Sequence, residues 1–115
     1  IWGTGFPKRE FLYVDDMVRA SVHLMNIDKK TYYENTSAMS SHINVGSGED
    51  LTIKELAEII KEVVDFKGEI KFDKTKPDGS PRKFLDSRKI NSLDFKTKTS
   101  LKEGLVKTYQ DFTKA

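Results

Sequence analysis

The feature that most constrains this sequence is a helix signal that begins at residue 52. Thr52 and Glu55 have the spacing of a capping box, in which the threonine accepts from the first turn and the glutamate reaches back. Apolar residues then recur every three or four positions, at Ile53, Leu56, Ile59, Ile60, Val63 and Val64. This period predicts an amphipathic helix that ends before Gly68. Upstream, His42 to Val45 alternates polar and apolar residues into Gly46, which is typical of a strand.

The first part of the chain predicts a similar unit. Arg9 to Val14 is short and rich in aromatic and branched residues, which favours a buried strand. Asp15 or Asp16 is then predicted to be the N-cap of a helix, because a carboxylate can accept the free amides of a first turn. Residues 28–41 are polar and aperiodic and predict a surface loop.

The last part adds two strands and a helix. Residues 69–73 alternate, and a short strand is expected at residues 84–85, followed by Asp86 as a cap and a short turn of helix. Ser100 and Glu103 predict a second capping box for a final helix. The predicted class is α/β, in the order β-α-β-α-β-β-α with parallel pairing. We expect one domain over residues 1–115, with an incomplete sheet.

Composition excludes several classes of function. The formal net charge is only +2, so no strong field would attract nucleic acid or an anionic membrane. There is no cysteine, which excludes thiolate metal sites and disulfides and makes a cytoplasmic location the expectation; no metal site is predicted. No apolar run is long enough to span a bilayer. Because Ile1 enters a glycine loop without an initiator methionine, we expect the chain to be an excised segment.

Two loops are candidates for binding chemistry. Residues 76–83, KPDGSPRK, hold three cations, one carboxylate and two prolines. Arg and Lys match the charges of a nucleotide diphosphate, and Asp78 suits ribose hydroxyls, although a solvated turn is an open alternative. In the opening loop, Trp2 could stack on a base or sugar and Arg9 could clamp a phosphate, or each could have an ordinary structural role.

Other polar residues are interpreted as structural. The turn at residues 46–48 lacks the third glycine of a dinucleotide fingerprint, because Leu51 stands there. Helix capping is the favoured role of Asp15, Asp16 and Asp86 over paired-carboxylate catalysis. His23 and His42 have no neighbouring nucleophile, and no tyrosine has a lysine four positions later. We therefore predict no catalytic residue in this chain.

Several runs together resemble a known family. They are WGTG at residues 2–5, REFLYVDDM at 9–17, SHINVG at 41–46 and KPDGSPRK at 76–83. The chain resembles the C-terminal, substrate-binding portion of extended short-chain dehydrogenases/reductases that act on nucleotide sugars. The last loop and the stretch at residues 34–36 point more narrowly to the GDP-L-fucose synthase branch.

The resemblance implies a function for a larger enzyme. That enzyme would be a cytoplasmic homodimer converting GDP-4-keto-6-deoxy-D-mannose to GDP-L-fucose with NADPH. Trp2, Arg9, Asp78 and Lys83 match positions that contact the GDP-sugar. The Rossmann half, the NADP(H) site and the catalytic residues of the family would all precede Ile1, so this chain alone is expected to be inactive. Two alternatives stay open: a stand-alone nucleotide-sugar-binding module, and part of a related epimerase or dehydratase.

Overall fold

The computed structural model describes every residue from Ile1 to Ala115. Its elements are β1 (Lys8–Glu10), α1 (Val14–Asn26), α2 (Lys29–Asn35), β2 (Asp50–Thr52), α3 (Ile53–Val63), β3 (Arg82–Lys83), α4 (Arg88–Ser92) and α5 (Leu101–Lys114). Strands alternate with helices, and the predicted α/β class is confirmed.

The sheet is small and mixed, with β1 at its centre in the order β2-β1-β3. Arg9 lies opposite Lys83 in the parallel pair with β3 and opposite Leu51 in the antiparallel pair with β2. The expectation of parallel pairing is therefore correct for β1 and β3 and wrong for β2. Only two or three residues pair in each case, so most of the chain around the sheet is loop.

Two predicted strands are not formed, and the strand expected at residues 84–85 lies instead at Arg82–Lys83. Residues 42–45 make no backbone hydrogen bond to another strand, although Ile43 and Val45 pack on the core. Residues 69–73 meet the start of the chain through an isolated parallel bridge between Trp2 and Asp73 and through a hydrogen bond from the Ile1 amino group to the Lys71 carbonyl at 2.7 Å. The alternation that predicts a strand describes one chain segment, whereas a ladder also needs a neighbour to accept its hydrogen bonds.

The residues 28–41 are not all loop, because α2 occupies the middle of this stretch. Asp28 caps it, with the Thr31 amide donating to Oδ1 at 2.9 Å. A single short helix has too few residues for a visible apolar period, so its cap was its main sequence signal.

The N-cap predicted for α1 is also corrected. Tyr13 occupies the cap position without a side-chain hydrogen bond, and Asp15 and Asp16 lie in the first turn. Asp16 is instead buried beneath the loop that precedes α5, with 1% of its surface exposed. A capping aspartate and a buried one look alike in sequence, since both precede an apolar helical face.

The helix predicted from Thr52 is α3, and its capping box is complete: the Glu55 amide donates to the threonine, and Thr52 donates to the glutamate. The helix ends earlier than Gly68 implied. Asp65 takes a left-handed φ of 54°, and the Phe66 amide donates to the Lys61 carbonyl at 3.0 Å. This is a Schellman ending with aspartate where glycine is usual.

The buried apolar core is small. Ala20, Ile90 and Phe95 are its fully buried apolar residues, with Leu24, Ile43 and Val45 packed against them. The radius of gyration is 17.4 Å, whereas a compact domain of this length has about 13 Å. The accessible surface is 8453 Å², against about 6,400 Å² for a compact monomer of this mass. Much apolar surface therefore stays uncovered, including Val14, Val18, Val22 and Met25 on α1. No helix is long and apolar enough to cross a membrane.

Candidate functional site

Two distant segments, residues 1–9 and 71–83, run side by side along one edge of the molecule. At one end the Gly3 amide donates to the Asp73 carbonyl at 2.9 Å, and the Asp73 amide donates to Ile1 at 2.7 Å. At the other end the Lys8 amide donates to Pro81 at 2.8 Å, where β1 meets β3. Between these paired ends, both segments bulge into loops. We call these two segments together the edge region.

Glycine makes the first of these loops possible. Gly3 and Gly5 have φ values of 75° and 76°, a region that other residues rarely enter. A Cβ on Gly3 would lie 2.1 Å from Asp78 Oδ1, and one on Gly5 would lie 2.5 Å from Phe72 Cε1. The glycine spacing therefore serves both a backbone turn and the close approach of the second segment.

Asp78 fastens the two loops together. Its Oδ1 accepts from the Thr4 amide at 2.7 Å, and its Oδ2 accepts from the Thr4 hydroxyl at 2.6 Å. The hydrogen bonds from the Thr4 hydroxyl and amide lower the pKa of Asp78, so the carboxylate is charged at neutral pH. Both carboxylate oxygens are thus engaged within the protein. Sequence analysis did not select Thr4, because its only signal is a hydroxyl between two glycines.

Arg9 and Lys83 lie next to each other on the sheet. They are directly paired in the register of β1 and β3, so their side chains leave the same face. Arg9 Nη1 donates to the carbonyls of Lys8 and Ser80, at 2.6 and 2.8 Å. Its Nε and Nη2 have no protein acceptor, and Lys83 takes part in none of the salt bridges. Donors for an anion are available from both residues.

Trp2 lies at the opposite end of the loops. Its side chain is 73% exposed, and Lys76 Nζ lies 5.7 Å from the centre of its ring. An exposed indole next to a cation offers a flat apolar surface for a base or sugar. The structure thus brings Trp2, Arg9, Asp78 and Lys83 to one edge, although residues 2 and 83 are far apart in sequence.

The remaining cation of the second loop has a different role. Arg82 Nε donates to Asp50 at 2.5 Å, which lowers the pKa of Asp50 and raises that of Arg82. The register places Arg82 beside Lys8, on the face opposite Arg9. Arg82 therefore joins the outer strands and is not part of the candidate site.

The turn at residues 46–48 does not fit a nucleotide phosphate. The Gly48 amide donates to Glu10 Oε1 at 2.8 Å, and a Cβ on Gly46 would lie 2.4 Å from that oxygen. Glu10 also accepts from the Leu85 amide at 3.0 Å. A carboxylate of the protein thus takes the position that an anion would need, and these residues do not form an NADP(H) site.

Four other polar candidates have structural partners. Lys98 and Thr99 amides donate to Asp16, and His23 Nε2 lies 2.6 Å from the Leu93 carbonyl. Asp73 accepts from Thr75, and Asp86 forms an ion pair with Arg88 that lowers its pKa to about 2. No group of three or more metal-ligating side chains converges anywhere in the chain.

The larger clefts lie away from the edge region. One of about 470 Å³ lies between β2, α3 and the start of α5, and a second of about 660 Å³ lies beside α1. A third, of about 550 Å³, is lined only by polar residues around His42 and Arg88. None of these is lined by Trp2, Arg9 or Asp78. The candidate residues thus lie outside the three larger clefts.

Comparison with known proteins gives a match to a family model over part of the chain. Residues 1–46 match the NAD dependent epimerase/dehydratase family. The chain is thus related to one segment of that family, and the resemblance seen in the sequence is confirmed.

Curated relatives show more specifically which proteins the chain is similar to. The chain is 52% identical to GDP-L-fucose synthase of Escherichia coli K12 over 112 residues, covering 97% of this chain and 35% of that protein. It is 54% identical to a putative GDP-L-fucose synthase 2 of Arabidopsis thaliana, covering 96% of this chain and 31% of the relative. The chain spans about a third of the length of the curated relatives that it matches.

Solved structures show the same fold. A GDP-6-OMe-4-keto-L-xylo-heptose reductase of Campylobacter jejuni superposes with a TM-score of 0.87 at 37% identity, over 99% of this chain and 33% of that one. A GDP-L-fucose synthetase of Naegleria fowleri bound to NADP gives a TM-score of 0.79 at 27% identity, over 99% of this chain and 34% of that one.

Proposed function

We propose that residues 1–115 are a nucleotide-sugar-binding domain, the substrate-binding part of an enzyme that converts GDP-4-keto-6-deoxy-D-mannose to GDP-L-fucose. The observation that carries this proposal is the pairing of Arg9 with Lys83 on one face of the sheet, with Trp2 at the other end of the same loops. The identity of about half the residues to GDP-L-fucose synthases supports the choice of sugar nucleotide.

In this proposal each residue has a distinct role. Arg9, with its free Nε and Nη2, and Lys83 bind the diphosphate through charge-assisted hydrogen bonds. Trp2 stacks on the base or sugar, and Asp78 completes the site at the centre of the loops. NADP(H) and the reacting groups are supplied by parts of the enzyme outside these residues, and the enzyme is proposed to be a cytoplasmic homodimer.

Titration with GDP tests the proposal, because Trp2 is the only tryptophan and reports directly on the site. We expect GDP to change the Trp2 fluorescence, and Arg9→Ala to weaken binding by about tenfold or more. Lys8→Ala is the matched control, since Lys8 is the neighbouring cation on the opposite face of β1. Equal losses in the two variants would mean that only general positive charge attracts the ligand.

A related activity on another GDP-sugar is the second candidate. It is supported by the 37% identity and TM-score of 0.87 with the heptose reductase, against 27% identity and TM-scores of 0.79 and 0.82 with the two fucose synthetase structures. Competition between GDP-L-fucose and a GDP-heptose for the site distinguishes the two. In either case we expect the 115-residue chain alone to leave NADPH unoxidised, and measurable turnover by it would contradict the proposed division of roles.

A further inference from the structure

Glu10 joins three separate segments of the chain next to the Arg9–Lys83 pair. It is the last residue of β1, and its Oε1 accepts from the Gly48 amide at 2.8 Å, in the turn before β2. Its Oε2 accepts from the Leu85 amide at 3.0 Å, two residues after the end of β3. One carboxylate therefore binds the backbone on both sides of β1, beyond the last paired residue of each neighbouring strand.

The bond to Leu85 supports the position of Lys83. Because β3 consists of only two residues, its ladder with β1 is short. Before the strand, the Lys8 amide donates to the Pro81 carbonyl at 2.8 Å, and after it the Leu85 amide donates to Glu10. Hydrogen bonds to β1 thus lie two residues before Lys83 and two residues after it, and the second of them depends on a side chain.

The turn at residues 46–48 fits closely around the same carboxylate. A Cβ on Gly46 would lie 2.4 Å from Glu10 Oε1, so the backbone approaches this oxygen more closely than a residue with a side chain would allow. Gly48, which donates to it, has a φ of 83°. The Ser47 hydroxyl also lies 3.4 Å from Glu10 Oε1. The turn therefore fixes where the carboxylate lies, and the carboxylate in turn fixes Leu85.

Glu10 itself is on the wrong side of the sheet to bind the diphosphate. Successive residues of a strand point to opposite faces, so Glu10 leaves the face opposite to Arg9. A carboxylate also repels an anion. Any favourable effect of Glu10 on diphosphate binding must consequently pass through the residues whose backbone it binds.

We infer that Glu10 is a positioning residue for diphosphate binding, which keeps Lys83 beside Arg9 by bonding the backbone after β3 to the turn at residues 46–48. This inference rests on the proposed function, in which Arg9 and Lys83 bind the diphosphate. It adds to that site a residue that touches no ligand and acts from behind the sheet.

The sign of the effect separates positioning from electrostatics. If Glu10 acted only through its charge, removing that charge would strengthen the binding of an anion. If it positions Lys83, the same change should weaken binding. A residue that served only the stability of the fold would lower Tm and leave the affinity of the folded protein unchanged.

The test is Glu10→Gln, which keeps the size of the side chain and removes its charge. The NH₂ group of glutamine cannot accept a hydrogen bond, so it would face the Gly48 or the Leu85 amide without bonding it. We expect the affinities for inorganic pyrophosphate and for GDP, measured by calorimetry well below Tm, to fall by roughly three- to tenfold. Pyrophosphate affinity equal to or higher than that of the wild type would overturn the inference.

Glu49→Gln is the matched control, because Glu49 is an exposed carboxylate directly after the same turn. It removes the same charge without touching the bond to Leu85, and we expect pyrophosphate to bind as well as in the wild type or slightly better. An equal loss of affinity in Glu49→Gln and Glu10→Gln would count against a special role of Glu10.

A double variant tests whether Glu10 acts through Lys83. Partners in one interaction are not additive, so Glu10→Gln should cause little further loss of pyrophosphate binding in a chain that already carries Lys83→Ala. Fully additive losses would overturn the assigned route through Lys83.

Hydrogen exchange without ligand completes the test. The Leu85 amide should exchange faster by about tenfold in Glu10→Gln, whereas the Lys8 amide, bonded to Pro81, should be unchanged. An unchanged rate at Leu85 would overturn the inference. If the wild type binds neither GDP nor pyrophosphate, the proposed function fails and the positioning role fails with it. If the wild type binds both and Glu10→Gln binds them equally well, only the positioning role fails.

Discussion

Two aspartates join distant parts of this chain by the same chemistry but in opposite surroundings. Asp16, in the region of α1, accepts from the amides of Lys98 and Thr99 and from Arg19, and is 1% exposed. Asp78, in the edge region, accepts from the Thr4 amide and hydroxyl in full contact with solvent. The free energy at stake in a hydrogen bond depends on whether water can replace the lost partner. Burial therefore makes Asp16 a support of the fold, whereas Asp78 shapes a surface.

The largest expected effect comes from removing the carboxylate of Asp16, the buried one of the two aspartates. Asp16→Ala leaves the Thr99 and Lys98 amides without their acceptor and Arg19 without its partner, so we expect a loss of about 3 kcal/mol in unfolding free energy. Urea denaturation followed by circular dichroism measures it. Asp15→Ala, one residue away and exposed, is the control, and a similar loss in both variants would remove the special role of Asp16.

The same contrast should appear in the dependence of stability on pH. Burial alone would raise the pKa of Asp16, but the hydrogen bonds from Thr99 and Lys98 outweigh it and hold the pKa below its ordinary value of 3.8. A lowered folded-state pKa stabilises the fold fully above the unfolded pKa, and this contribution is lost as the pH falls through the folded one. Stability should thus decline below about pH 4, and Asp16→Asn should flatten part of that decline. An unchanged slope in Asp16→Asn would show that other carboxylates account for it.

A smaller effect on stability, with a larger one on binding, is expected at Gly3. Gly3→Ala places a methyl group against Asp78 at a φ of 75°, so the edge region must rearrange, at a cost of about 1 kcal/mol. We expect GDP affinity to fall by about tenfold while the cooperative unfolding of the α1 region is retained. Gly48→Ala also has a positive φ but lies in open space, and it should leave binding unchanged.

The smallest expected effect is at Asp65, which lies outside both the α1 region and the edge region. Asp65 ends α3 in a left-handed conformation with φ of 54°, which glycine adopts more easily. Asp65→Gly should raise Tm by about 2 °C and leave GDP binding unaltered. Lys67→Ala controls for the loss of the exposed ion pair between Lys67 and Asp65. A lower Tm in Asp65→Gly would mean that the ion pair outweighs the backbone preference.

Local signals in the sequence were sufficient for several elements. The capping box at Thr52 and Glu55 and the apolar period behind it predicted α3, since both act within a few residues of each other. The Ser100 cap predicted α5 for the same reason. The candidate residues Trp2, Arg9, Asp78 and Lys83 were also selected from sequence, by charge, stacking capacity and family resemblance.

The sequence by itself determined where α3 and α5 begin, which residues carry charge, and which family the chain resembles. Only the tertiary structure decided that β2 runs antiparallel to β1, that residues 42–45 stay unpaired, and that Asp16 is buried instead of capping α1. It also brought Thr4 to Asp78, 74 residues away. The physical reason is range: caps and helical periods are satisfied by neighbours in the chain, whereas strand partners and the burial of a carboxylate depend on which distant segment arrives beside them.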